Sequence, residues 1–174
     1  MNTFTDTSLR LACAKALLVA LALVFAFPVP AVANETVYVL FRHAEKATQS
    51  PDPGLNEQGK ERALALAAYL QKAGVTKIFS SDYQRTRETV EPLSNLTGIE
   101  IELYDPRDLE AFARELKEMS GTIAVCGHSD TTPQLASLVS GQVTEPIPET
   151  EYGRLYTVVT KMGGETTIRV SEIY

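Results

Sequence analysis

The chain has 174 residues, of which 44% are apolar and 22% charged, and its formal net charge is -6. That is one domain's length and a globular composition. No basic stripe is visible, which argues against a nucleic-acid partner, and the acidic balance disfavours anionic lipid; an anionic substrate has to be held by local positive charge.

Arg10 and Lys15 precede an unbroken apolar run from Ala16 to Phe27. Pro28 and Pro30 break it, and Ala31-Val32-Ala33 offers small residues at the positions a signal peptidase reads. The expectation is a secretory signal peptide over residues 1–33, cleaved after Ala33, with an uncleaved anchor as the alternative. The run is short for a membrane span. Residues 34–174 then form one periplasmic or secreted domain, without stable membrane association after cleavage. Cys13 precedes the apolar run and is badly placed for a lipid anchor. The domain keeps one cysteine, Cys126, which cannot form an internal disulfide.

Thr36 to Phe41 is a continuous apolar and β-branched run, expected as a strand covered on both faces. A loop over Gln49 to Gly54 follows. Asn56 can cap a helix reaching about Ala73, with Gly74 ending it. Lys77 to Ser80 is a short strand. Asp82 can cap the next helix, expected to stop before Pro92 or soon after it. Ile99, Ile101 and Leu103 alternate with Glu100 and Glu102, as in a strand with one wet face near a sheet edge. Asp105-Pro106 reads as a cap followed by a first-turn proline. Leu109, Phe112, Ala113 and Leu116 then recur at helical spacing, with Gly121 closing the helix. Thr122 to Cys126 is a buried strand, and Thr132-Pro133 opens a helix ending at Gly141. Arg154 to Thr160 and Thr167 to Ile173 flank Gly163-Gly164 as a hairpin.

Strands alternating with helices predict an α/β fold: a three-layer sandwich with a largely parallel central sheet flanked by helices, plus the C-terminal hairpin. Ligands in such sheets bind beyond the carboxyl ends of strands. The positions to inspect therefore follow Phe41, Phe79 and Cys126.

The chain has two histidines. His43 follows the first strand in Phe41-Arg42-His43, and His128 follows the fourth in Cys126-Gly127-His128. The third strand end reads Ser80-Ser81-Asp82-Tyr83-Gln84-Arg85-Thr86-Arg87. Successive helical residues turn by about 100°, so only one of Arg85 and Arg87 can face the crevice. Two imidazoles with Arg42 and Arg85 suit phosphate. A guanidinium fork matches phosphate oxygens and stays charged. A neutral imidazole is a good nucleophile at neutral pH, and fixed positive donors stabilise a transferring phosphoryl group.

Leu40-Phe41-Arg42-His43-Ala44-Glu45 resembles the Arg-His-Gly/Ala signature of the histidine phosphatase superfamily, whose fold is phosphoglycerate mutase-like. Leu55-Asn56-Glu57-Gln58-Gly59 is similar to that family's leucine-to-glycine helix start. Ser80-Ser81 through Arg85-Thr86 and Thr89 resembles its Ser-Ser-x-x-x-Arg…Thr element, and Gly127-His128-Ser129 its Gly-His-Ser element. The motifs keep family order, and the similarity spans residues 34–174. The resemblance implies a phosphatase with His43 as nucleophile and with Arg42, Arg85 and His128 as the phosphate pocket. It implies no metal and no cofactor, and no His/Asp/Cys cluster shows metal-ligand spacing.

A leaving oxygen needs a proton, and three carboxyl groups are candidates to supply it. Asp130 lies two residues past His128, where one branch of the superfamily has an aspartate directly after the histidine; it could equally cap a helix. Glu110 lies between the arginine and the second histidine, and Glu45 is near His43. Cys126 is not a phosphatase nucleophile of the C-x5-R kind, because Thr132 stands where the arginine belongs.

The expected function is metal-independent hydrolysis of a small phosphomonoester through a phosphohistidine on His43. The alternatives are a non-catalytic phosphate-binding module, or a phosphohistidine phosphatase acting on a protein. A mutase is a further possibility on the same fold. Residues 44–54 and 142–151 are the expected specificity loops.

Overall fold

The computed structural model describes residues 35–48 and 50–173. The leader expected over residues 1–33 lies outside them. Ten elements follow in chain order: β1 (Glu35–Arg42), α1 (Glu57–Lys72), β2 (Lys77–Ser81), α2 (Gln84–Thr97), β3 (Ile101–Tyr104), α3 (Leu109–Lys117), β4 (Thr122–Gly127), α4 (Thr131–Ser140), β5 (Arg154–Lys161) and β6 (Thr166–Glu172). The strands form one mixed sheet in the order β3-β2-β4-β1-β5-β6. The first four neighbours pair in parallel, and β5 and β6 join β1 as an antiparallel hairpin.

The pleat of β1 explains the three layers. Tyr38 and Leu40 point to one face, where they pack with Phe112 and Leu116 of α3 and Leu135 of α4. Val39 and Phe41 point to the other, against Leu66 and Leu70 of α1 and Val90 and Leu93 of α2. A strand buried on both sides cannot alternate polar with apolar, which is why TVYVLF is apolar throughout. Across the sheet Cys126 joins the second cluster as a buried thiol.

Asn56 caps α1 as expected, its side chain accepting from the Gly59 N–H at 2.8 Å. Several other boundaries differ from expectation. Tyr83, not Asp82, holds the cap position of α2, because Asp82 instead accepts a hydrogen bond from Arg87. α2 also runs five residues past Pro92 to Thr97. An interior proline costs about 3 kcal/mol. Burying Leu93 returns about 1.5–3 kcal/mol, and the last turn is tied by Thr97 Oγ1 to Leu93 O and Gly98 N to Ser94 O.

Asp105 accepts from Arg107 N in a turn, and α3 starts three residues later than expected, capped by Asp108. α3 ends at Lys117, so Gly121, with φ 101°, leads into β4 and does not close the helix. β3 is an edge strand as expected, but its inward face is not the predicted one throughout. Leu103 is 54% exposed, whereas Tyr104 is buried by stacking on Phe112 at 4.3 Å between centroids.

Candidate active site

β1 and β4 lie side by side in parallel, and their paired ends are Arg42 and Gly127. Each strand's next residue is a histidine. His43 N donates to Gly127 O at 3.0 Å, and the two imidazole centroids stand 5.5 Å apart. The register of two strands thus suffices to bring together residues 85 positions apart in the chain. β2 pairs with β4 through Ser80 and Cys126, so Ser81 ends beside His128, and Ser81 Oγ is 2.9 Å from His128 Nε2. A cleft of about 480 Å³ opens here, lined by Arg42, His43, Arg85, His128 and Asp130 among others. Arg85 faces it, while Arg87 faces away to Asp82.

Hydrogen bonds fix both imidazole tautomers. His43 Nδ1 lies 2.7 Å from Ala44 O. A carbonyl only accepts, so the proton is on Nδ1 and Nε2 carries the lone pair. Thr86 Oγ1 donates to the carbonyls of Ser81 and Tyr83, and Ser81 Oγ donates to Thr86 Oγ1. Ser81 Oγ must then accept from His128 Nε2–H. That leaves His128 Nδ1 as acceptor from Arg85 Nη2, at 3.4 Å.

Burial pushes the His43 pKa down to about 3, with the Arg42, His128 and Arg85 charges lowering it further. Burial and then Arg85 push His128 down to about 4. Both rings are therefore neutral at neutral pH. Below pH 6.5 the unfolded chain takes up protons that the folded chain refuses, so stability falls as pH drops from 6.5 towards 4. Each histidine contributes a slope of at most about 1.4 kcal/mol per pH unit. Urea unfolding at pH 5, 6 and 7 is expected to show a shallower loss in His128→Asn than in the unaltered protein. Equal slopes would contradict the burial of a neutral His128.

The arginines differ in how they are held. Arg42 is buried, and its Nη1 donates to the carbonyls of Pro148, Glu149 and Glu151 at 3.1, 2.8 and 3.0 Å. Its Nη2 pairs with Glu149 Oε2 at 2.7 Å, and its guanidinium lies 4.2 Å from the Tyr152 ring centroid. Arg85 lies 4.5 Å from the Tyr83 ring centroid and 3.7 Å from Asp52, too far for a hydrogen bond. Among the described residues, three buried guanidinium nitrogens find no hydrogen-bond partner: Arg42 Nε, Arg85 Nε and Arg85 Nη1. Buried donors are almost always satisfied, so unspent ones at a cleft point to an anionic ligand.

The backbone around the site is close-packed. A Cβ on Gly127 would lie 2.8 Å from Tyr104 Oη and 2.9 Å from Thr132 Oγ1. Thr89 Oγ1 accepts from Ala44 N and donates to Arg85 O, joining the loop after His43 to α2. A Cβ on Gly59 would come within 2.4 Å of Glu45 O, so only glycine lets α1 lie against this loop. Alanine normally favours a helix interior by about 1 kcal/mol. Here Gly59→Ala is expected to destabilise the fold by about 1–3 kcal/mol through overpacking. The urea midpoint checks this, and a stabilised variant would contradict the contact.

The candidate proton donors separate. Asp130 lines the cleft and caps α4, its Oδ1 accepting from Thr131 N at 2.8 Å. Glu110 sits in the first turn of α3 and does not line the cleft. Glu45 is buried and fully engaged by Arg62, with contacts of 2.7 to 3.0 Å. Residues 44–54 and 142–151 are the expected specificity loops, in which Glu45 alone was singled out; Lys46 and Glu149 are the residues of these loops that line the cleft. Tyr83, Tyr152 and Ser129 were also missed as parts of the site. Among the described residues, no group of three His, Cys, Asp or Glu could hold a metal ion.

The fold and site define an α/β protein with an arginine- and histidine-lined cleft at the carboxyl ends of parallel strands. The histidine phosphatase superfamily (branch 1) matches residues 38–117. The probable phosphoglycerate mutase GpmB of Shigella dysenteriae serotype 1 (strain Sd197) is 31% identical over 123 residues, which are 68% of this chain and 52% of that protein. GpmB of Escherichia coli O139:H28 (strain E24377A / ETEC) is 30% identical over the same shares. The chain thus spans about half the length of these relatives. In fold it resembles the protein histidine phosphatase SixA complexed with tungstate, with a TM-score of 0.63 and 16% identity over 79% of this chain and 97% of that one. A mycobacterial glucosyl-3-phosphoglycerate phosphatase complexed with VO3 gives 0.62 and 14% over 82% and 100%. Over residues 38–117 the chain matches the histidine phosphatase superfamily, and it shares the fold of solved phosphatases.

Proposed function

We propose that this protein is a metal-independent phosphatase that hydrolyses a small phosphomonoester through a phosphohistidine on His43. The observation that carries this reading is the unprotonated His43 Nε2 in a cleft that Arg42 and Arg85 also line, with three guanidinium nitrogens unspent among the described residues. In this reading Arg42, Arg85 and His128 hold the phosphoryl oxygens. The Nε2 lone pair attacks phosphorus as the P–O bond to the leaving group breaks, and the leaving oxygen takes a proton. Asp130 is the proposed donor, being a carboxyl group in the cleft that is not paired with an arginine. Water then attacks the phosphorus, the P–N bond breaks, and Asp130 recovers its proton as orthophosphate leaves. A bound phosphate dianion favours a proton on His128 Nδ1, which turns that acceptor into a donor.

A second reading is hydrolysis of a phosphohistidine on a protein. Both carboxylates in the cleft accept hydrogen bonds, Asp130 from the α4 terminus and Glu149 from Ser129 and Arg42. A phosphorylated imidazole can bring its own proton and needs less help from an acid. We also propose that the enzyme works outside the cytoplasm, a reading supported by the composition of residues 1–33.

Turnover of an aryl phosphate in the presence of a chelator tests the main reading. Sustained hydrolysis is expected. Hydrolysis abolished by the chelator would contradict it, and hydrolysis confined to phosphohistidine would favour the second reading. Orthophosphate binding without turnover of either substrate would leave a binding module.

A further inference from the structure

Residues 142–153 connect α4 to β5 without regular secondary structure, yet they are anchored along their length. Thr144 Oγ1 donates to Pro133 O at 2.7 Å, and Tyr156 Oη donates to Glu145 O at 2.6 Å. Arg154 Nη1 donates to Pro146 O at 3.1 Å, and Ile147 is buried in the core. The three carbonyls held by Arg42 Nη1 complete the tie. This strap presents Glu149 to the cleft in one defined position.

There the Glu149 carboxylate occupies two donors that face the cleft. Oε2 pairs with Arg42 Nη2 at 2.7 Å, and Oε1 accepts from the Ser129 hydroxyl. Ser129 and then Arg42 hold its carboxyl below the usual range, so it is anionic at neutral pH. Its side chain is 73% exposed, so it is free to leave without disturbing the core. A phosphate dianion at Arg42 Nε and Arg85 meets this carboxylate as a like charge, and the two cannot share Arg42 Nη2 without repulsion.

We infer that Glu149 is a resident anion that competes with phosphate for Arg42 and Ser129, so that it sets the affinity of the cleft and speeds release of orthophosphate. The inference rests on the phosphatase reading above. It makes Glu149 a specificity-determining residue: a substrate must supply enough binding elsewhere to displace the carboxylate, and free orthophosphate has no such surplus.

Calorimetric titration of the purified protein with orthophosphate at neutral pH, in unaltered, Glu149→Gln and Glu149→Ala forms, tests this without requiring turnover. Both variants are expected to bind orthophosphate about tenfold more tightly. A merely structural role for Glu149 would loosen the strap and weaken binding, the opposite direction. Equal or weaker binding in whichever variant folds overturns the inference while leaving the phosphate site standing. So does unchanged binding combined with turnover lost for alkyl but not aryl esters, which would make Glu149 a proton donor. Absence of orthophosphate binding in all three proteins would remove the phosphatase reading itself, and the inference with it.

Discussion

His43→Ala is expected to lower kcat on an aryl phosphate by about 10⁴-fold or more, with the fold retained. On the proposed mechanism, removing the imidazole closes the two-step route through a covalent intermediate and leaves water to attack phosphorus directly. The remaining donors still hold the phosphoryl group, so KM is expected to change far less than kcat. Stability should not suffer greatly. Among the described residues the His43 side chain forms one hydrogen bond, to the adjacent Ala44 carbonyl, and its removal relieves a buried group that resists protonation. Steady-state kinetics beside a thermal melt checks both halves. A folded variant that keeps a tenth of the activity would remove His43 as nucleophile.

The two arginines are expected to give different stability results despite similar chemistry. Arg85→Ala should cost about 10²–10³-fold in kcat/KM by removing donors to the phosphoryl oxygens, with little change in Tm. Its guanidinium makes a 3.4 Å hydrogen bond to His128, a longer ion pair to Asp52 and a ring contact with Tyr83, while two of its nitrogens are unspent. Arg42→Ala should cost comparable activity and also about 2–4 kcal/mol of stability. Three strap carbonyls lose their donor, and Glu149 loses its cation. For a domain of this size that corresponds to a fall in Tm of about 5–10 °C. Differential scanning calorimetry on the two variants separates them. Equal Tm values would mean that the strap does not depend on Arg42.

Much of this architecture is legible in sequence because it depends on local pattern. Strands buried on both faces read as apolar runs, and both histidines stand immediately after such runs. The register of parallel β1 and β4 does the rest, so the pairing of His43 with His128 follows from topology. Helical geometry allows only one of Arg85 and Arg87 to face the crevice, and the family resemblance is what selects Arg85. What escaped depends on contacts distant in sequence. Glu149 and Tyr152 meet Arg42 across more than 100 residues, from a strap with no hydrophobic period to announce its path. Helix starts were misread where an aspartate had two uses. Asp82 serves Arg87 instead of a cap, and Asp105 builds a turn that moves the cap to Asp108. Glu45 was a plausible acid by proximity alone; Arg62, supplied by α1, takes it out of the chemistry.

The most direct test of the central claim is to trap the covalent intermediate. The purified protein is mixed with an aryl phosphate, quenched in alkali within milliseconds, where phosphohistidine survives, and digested for mass spectrometry. A phosphoryl group on the peptide containing His43, absent from His43→Ala, is the result this account predicts. Steady turnover by a protein whose peptides carry no phosphoryl group, or carry it on His128, would contradict it.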